Sequence, residues 1–172
     1  MDLSVFLTDK TIKAKVKTET ISKWLLAKKI SPGELTALAE ISKDPDKATC
    51  IEALEFASKM NPAIADQQCF LYVSQCLTEK APRIKWESAK VIGNTANLFI
   101  TKLDTAIKNL LVNTEHKGTV VRWSAAFALG EILKLKTKHN KQLLPAVEAI
   151  SKREEKNSIK KIYLDAIKKT VK

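Results

Sequence analysis

No apolar stretch of the sequence approaches the ~18 residues that a membrane-crossing helix needs, so a membrane partner is not expected. Glycine and proline are scarce, four and five in 172 residues. That is too few for the repeated tight turns of an all-β sandwich. Cysteine occurs three times, as Cys50, Cys69 and Cys76. The number is odd, no CxxC pair is present and no histidine completes a ligand set, which excludes a disulfide scaffold and a metal centre of familiar spacing. All three read as small buried hydrophobes. The opening residues Met1-Asp2-Leu3-Ser4 lack the basic-then-apolar plan of a secretory signal, and with the cysteines this points to a reducing, cytoplasmic setting.

Reactive constellations are missing as well. Four isolated glycines make no phosphate loop and no dinucleotide fingerprint. His116 and His139 fall in predicted loops beside Lys117 and Lys138, with no Ser, Cys or carboxylate at a spacing that suggests a triad. The pair Asp44 and Asp46 is explained by a turn and a helix cap. The expectation is therefore no catalytic residue, no metal, no cofactor, no small-molecule substrate and no enzyme.

What is abundant is apolar and basic. Apolar residues make up 45% of the chain, enough to bury a core, and Ala, Leu, Ile and Lys dominate. The segment from Ile84 to Gly93 repeats as Val121 to Gly130, an offset of 37 residues. Stepping back 36 residues from Ile84 reaches Ala48, and stepping forward 38 from Val121 reaches Ile159. Each copy has apolar residues three and four apart, as in Val121, Ala125, Ala128, Leu129 and Ile132, the pattern of an amphipathic helix. A second helical pattern precedes each copy, carrying Leu35 and Ala39, then Phe70 and Val73, then Ala106 and Leu110, then Leu143 and Val147. Ser31-Pro32-Gly33-Glu34 and Thr101-Lys102-Leu103-Asp104 both place a hydroxyl three residues before a carboxylate, which predicts capped helix starts. Pro45 and Pro82 suit first turns, and Asn61-Pro62 and Gly118 break the pattern between helices.

A period of 36 to 38 residues with no strand signal predicts an all-α fold: an α-solenoid of about four stacked helix pairs. The sequence here resembles the HEAT-repeat, armadillo-like family. Leu143-Leu144-Pro145 matches the core of that family's first helix, and Asp44-Pro45-Asp46 matches its turn. Val121-Arg122 with Ala125 and Ala128-Leu129-Gly130 matches its second helix. The resemblance covers residues 31–172, with repeats at about 31–60, 63–99, 101–136 and 139–172. It departs from the pattern at the turn, where the acid survives as Asp44 but gives way to Lys80 and Lys117, with Glu155 in the last copy. Residues 1–30 lie outside the repeat and are expected to form capping helices, Ile21, Trp24, Leu25 and Leu26 covering the end of the stack.

The net charge is +11, from 30 Lys and Arg against 19 Asp and Glu, and it is uneven. Residues 119–172 carry +8, with Lys134, Lys136, Lys138 and Lys141 in one connection and Lys160, Lys161, Lys168, Lys169 and Lys172 in the last helix. Repeat register stacks equivalent positions into rows about 8–10 Å apart. One row reads Thr49, Lys85, Arg122, Lys160, and the next Cys50, Trp86, Trp123, Lys161. The resemblance implies that second helices line the surface that grips a partner, so Lys85, Trp86, Arg122, Trp123, Lys160 and Lys161 form the candidate binding surface. The competing reading makes the tryptophans packing between repeats and Arg122 a structural arginine. The function expected is a non-enzymatic protein-interaction scaffold whose partner presents an acidic surface. The alternative is nucleic-acid binding, including a DNA-alkylation-repair-like glycosylase, for which only Asp104 and Asp165 stand near basic segments. The apolar stripe of Ile159, Ile162, Tyr163 and Ile167 is read as packing rather than as a lipid-facing surface.

Overall fold

The computed structural model describes residues 2–171; Met1 and Lys172 lie outside them, so the start of the Met1–Ser4 motif and the last C-terminal lysine have no structural account. The described residues form helices α1 (Leu3–Thr8), α2 (Ala14–Leu26), α3 (Pro32–Ile41), α4 (Asp44–Met60), α5 (Gln67–Cys76), α6 (Pro82–Thr95), α7 (Leu103–Asn113), α8 (Thr119–Lys134), α9 (Asn140–Arg153) and α10 (Asn157–Val171). Among the described residues there is no strand, and no helix is long and apolar enough to cross a membrane.

Local chemistry accounts for the boundaries. At α3 the Ser31 hydroxyl accepts the Glu34 N–H at 3.1 Å, while the Glu34 carboxylate accepts the Ser31 N–H at 2.7 Å. This reciprocal box satisfies two donors that the first turn leaves without partners. Pro45 lies in the first turn of α4 and Pro82 in that of α6, where a missing N–H costs nothing. The expected cap at Thr101 is not formed. Residues Ile100–Lys102 wind into a 3-10 turn, and α7 starts at Leu103 with no side-chain cap. The sequence spacing was right for a capping box, but the turn running on from Phe99 places Thr101 inside a helical segment and not ahead of one.

Two layers follow from the pairing. Helices α2, α4, α6, α8 and α10 pack side by side in chain order, and α3, α5, α7 and α9 cover them from one side. Small residues let the first layer close up: Ala53 and Ala57 on α4, Ser88 and Ala89 on α6, and Ala125, Ala126, Ala128 and Gly130 on α8 are all buried. Leucines and isoleucines such as Leu54, Ile92, Leu129 and Leu110 fill the space between the layers. Each such side chain contributes about 1.5–3 kcal/mol on burial. Phe70 on α5 meets Phe99 at 4.9 Å between ring centroids, tying the second pair to the third.

The N-terminal segment joins the same scheme. Helix α2 lies beside α4 in the same layer as α4, α6, α8 and α10, with Ile21 and Leu25 buried. Trp24 is half-buried against Phe6 of α1, ring centroids 4.7 Å apart. Leu26, by contrast, is exposed. It is the last residue of α2 and lies beside Phe56 and Met60 of α4.

Candidate interaction surface

The row Thr49, Lys85, Arg122, Lys160 runs along the first two turns of the second helices. Thr49 is buried and donates to the Pro45 carbonyl at 2.9 Å. Lys85 donates from Nζ to the Leu77 carbonyl at 2.9 Å and to Asn113 Oδ1 at 3.2 Å. Burial lowers its pKa, opposed by the charge of Glu79. Asn113 at the end of α7 also donates to Leu77 O, at 3.1 Å. Lys85 and Asn113 together bolt the α5–α6 connection to the following repeat.

Arg122 does the same one repeat on. Its guanidinium donates to the carbonyls of His116 and Lys117, at 3.0 and 3.2 Å, and pairs with Glu154 at 3.1 Å. Burial pushes the Glu154 carboxyl up, but the Lys156 N–H and the Arg122 guanidinium outweigh it and hold the group below the usual carboxylate range. The acid that meets Arg122 is thus Glu154, one residue before the Glu155 that repeat alignment matches to the turn. Lys160 is half-buried and makes no ion pair among the described residues.

The adjacent row is more open. Cys50 is buried, Trp86 is half-buried with Nε1 donating to Glu87 Oε1 at 2.7 Å, and Lys161 is exposed. Trp123 is 40% exposed and stacks on Phe127 one turn ahead, centroids 6.0 Å apart and planes 11° apart. Of the six residues singled out from the sequence, Trp123 and Lys161 present open surface, Trp86 and Lys160 present part of theirs, and Lys85 and Arg122 direct their donors into the fold.

Three features lay outside the sequence reading. First, charges cross the layer of α2, α4 and α6 as a network. Glu52 on α4 accepts from Thr18 on α2 at 2.9 Å and pairs with Arg83 on α6 at 2.5 Å. Second, Lys90 on α6 lies 3.5 Å from Glu55 on α4 and 2.8 Å from Glu87. Glu55 and Glu87 are both buried. Third, Leu26, Phe56 and Met60 come together as an apolar groove between α2 and α4, flanked by Lys23 and Lys59. Phe56 and Met60 are one turn apart on α4, a spacing visible in the sequence, but Leu26 reaches them from a segment that the repeat register does not cover.

The titratable groups offer no activated nucleophile among the cysteines. Burial pushes the Cys50 and Cys69 thiols up to about 12 and Cys76 up to about 11. None of them is a thiolate near neutral pH. His116 Nδ1 accepts the Gly118 N–H at 2.9 Å, and His139 Nδ1 lies 3.8 Å from the exposed carboxylate of Asp104. Among the described residues no group of three His, Cys, Asp or Glu side chains converges as a metal site.

No protein-family model matches the sequence, and no curated protein matches it. Solved structures do match the fold. A designed armadillo repeat protein in complex with the peptide (KR)4 superposes with a TM-score of 0.72 at 16% identity, over 98% of this chain and 80% of that one. Computationally designed armadillo repeat proteins for modular peptide recognition give 0.74 at 16% identity, over 97% of this chain and 80% of that one. An engineered protein gives 0.75 at 16% identity, over 98% and 79%. At that identity the likeness speaks for the fold alone, and it agrees with the helix pairs and layers described above: the chain is an armadillo/HEAT-like α-solenoid.

Proposed function

We propose that this chain is a non-enzymatic interaction module that holds an acidic segment of a partner protein along the second-helix layer. The observation that carries the reading is the open pair Trp123 and Lys161, on neighbouring helices α8 and α10, in register with the half-open Trp86 and beside the half-open Lys160 of the adjacent row. Aromatic faces beside cations suit a peptide that carries carboxylates, and a net charge of +11 steers such a partner inward. Lys85 and Arg122 serve this surface by holding the helix starts in place. The designed neighbours, one in complex with the peptide (KR)4 and others designed for modular peptide recognition, support a peptide as ligand, though (KR)4 carries the opposite charge. A reducing, cytoplasmic location suits the reading, since Cys50, Cys69 and Cys76 are free thiols.

Fluorescence anisotropy with a labelled peptide of ten glutamates tests it. At near-physiological salt the peptide binds saturably, and a Trp123→Ala/Lys161→Glu variant loses most of that affinity. Absence of binding, or binding indifferent to the variant, overturns the proposal.

A second reading, nucleic-acid binding, draws on the opposite ends of the same two helices, α8 and α10. The Thr170 hydroxyl donates to Leu133 O at 3.3 Å, which brings the end of α10 to the α8–α9 connection. The exposed Lys136, Lys138 and Lys141 of that connection thereby join Lys168 and Lys169. Labelled duplex DNA separates the two: a log–log salt slope of about one per phosphate neutralised, together with weak binding of the glutamate peptide, favours this alternative.

A further inference from the structure

We propose that the groove between α2 and α4 is a pocket for one large apolar side chain of an acidic polypeptide segment; this rests on the peptide-binding reading above. Its walls are Leu26, Phe56 and Met60, which are 37%, 39% and 76% exposed. None of these three side chains is committed to the core. Apolar side chains gathered in a concave site gain by covering one another with a ligand, and the groove of about 400 Å³ has room for a leucine or phenylalanine side chain.

Charge decides what carries that side chain. Lys23 and Lys59 stand at the rim, and neither makes an ion pair among the described residues. Of the two carboxylates in the lining, the buried Glu55 is paired with Lys90 at 3.5 Å, and Glu19 faces the exposed Lys15 at 3.9 Å. The rim therefore presents two free cations to whatever enters. A second copy of this chain would bring a charge of +11 of its own and be repelled. A cationic peptide like the (KR)4 bound by the designed neighbour would meet like charge at both lysines. An apolar anchor flanked by Asp or Glu satisfies the walls and the rim together.

Methionine makes the groove visible. The sequence contains two methionines, Met1 and Met60, so a sample labelled with methyl-13C methionine reports the groove through one signal, assigned with Met60→Leu. The probe is a nine-residue peptide of glutamates and serines with a central phenylalanine. Its comparison peptides carry alanine at the centre, or lysine in place of glutamate. The phenylalanine peptide shifts the Met60 signal saturably, and central alanine weakens binding by roughly tenfold or more, the loss expected when an aromatic ring is no longer buried. Lys23→Glu/Lys59→Glu and Met60→Glu, all at exposed positions, weaken it to a similar degree. Three outcomes overturn the proposal. If the peptide binds by anisotropy without moving the Met60 signal, and tolerates central alanine, the pocket is refuted while the peptide-binding reading stands. If the lysine peptide saturates the Met60 shift equally well, the assigned charge is wrong. If neither this peptide nor the ten-glutamate peptide binds, both readings fail.

Discussion

Gly93 of α6 lies directly beneath the ring of Phe127 of α8: a Cβ at Gly93 would stand 2.8 Å from Phe127 Cδ1 and closer still to Cε1. The absent side chain is what lets α6 and α8 approach, and Phe127 in turn carries Trp123 on its outer face. Gly130, the equivalent position in the next repeat, is less tight, with Ala166 Cβ 3.3 Å from the site a Cβ would take. Gly93→Ala is therefore expected to lower stability by about 1–2 kcal/mol in urea unfolding, because overpacking exceeds the helix propensity that alanine adds. Gly130→Ala should fall within about 0.5 kcal/mol of neutral, since a neighbour that yields a few tenths of an ångström leaves the propensity gain to offset the crowding. Adding Phe127→Leu to Gly93→Ala should recover part of the loss. Strict additivity of the two changes would show that the ring is not the obstacle.

Two lysines hold a conformation that lysine disfavours. Lys28, just past α2, and Lys136, just past α8, have φ of 55° and 53°. At the first, the Lys29 N–H reaches back to Trp24 O at 2.9 Å, the closing bond of a helix-ending motif that glycine usually supplies. Both side chains are exposed, so their replacement removes no packing. Lys28→Gly and Lys136→Gly should each raise stability by about 0.5–1 kcal/mol, relief of left-handed strain exceeding the added freedom of the unfolded chain. Thermal unfolding of the single and double variants checks this, with no change in the double variant as the contrary result.

How much of this was legible beforehand depended on the range of the signal. Helix pairs, the Ser31 box and the prolines of α4 and α6 are written within a few residues of where they act, and repeat alignment placed Gly93 and Gly130 in one register. Thr101 misled because a local motif has no knowledge of the 3-10 turn entering it from Phe99. The candidate row was harder, because periodicity assigns a residue to a helix face but says nothing of which loop carbonyl its long side chain will find. Lys85 reaches Leu77 and Asn113, and Arg122 reaches Glu154, through contacts 8 to 32 residues apart in sequence. The groove of Leu26, Phe56 and Met60 was invisible for a related reason. It exists only because α2 docks on α4, and no repeat register links those two segments.

Among the described residues, Lys90 is the cation that pairs with both buried carboxylates, Glu55 and Glu87. Burial raises the Glu87 pKa above the ordinary carboxylate range, with Lys90 opposing. Lys90→Met leaves both acids buried without their cation, and at pH 7 it should cost about 3 kcal/mol, typical of breaking a buried pair from one side. The sign of the pH effect follows. A carboxylate whose folded pKa is raised takes up its proton more readily in the native state, so native stability is favoured below the unfolded pKa and lost as pH rises through the folded one. The variant, with Glu87 raised further, should therefore regain stability as pH falls from 7 toward the carboxylate range, while the parent changes less over that interval. Urea midpoints measured between pH 7 and pH 5 decide it, and a deficit that stays constant across the interval refutes the link to Glu87.

The three tryptophans differ in exposure, and that difference is measurable. Trp123 is 40% exposed, whereas Trp86 and Trp24 are half-buried, the former anchored to Glu87 at 2.7 Å and the latter against Phe6. In variants that retain one tryptophan, acrylamide should quench Trp123 most efficiently. Stability should rank the opposite way. Trp123→Ala removes an outer stacking partner and is expected to cost about 0.5–1.5 kcal/mol. Trp86→Ala empties a partly enclosed site and leaves the Glu87 oxygen without its donor, which raises the expected cost to about 2–4 kcal/mol. If Trp123 proves as protected as Trp86, its ring is occupied by the fold and is not free to meet a partner. Strong quenching with little loss of stability leaves an aromatic surface that the fold does not need, and that combination is what a binding residue requires.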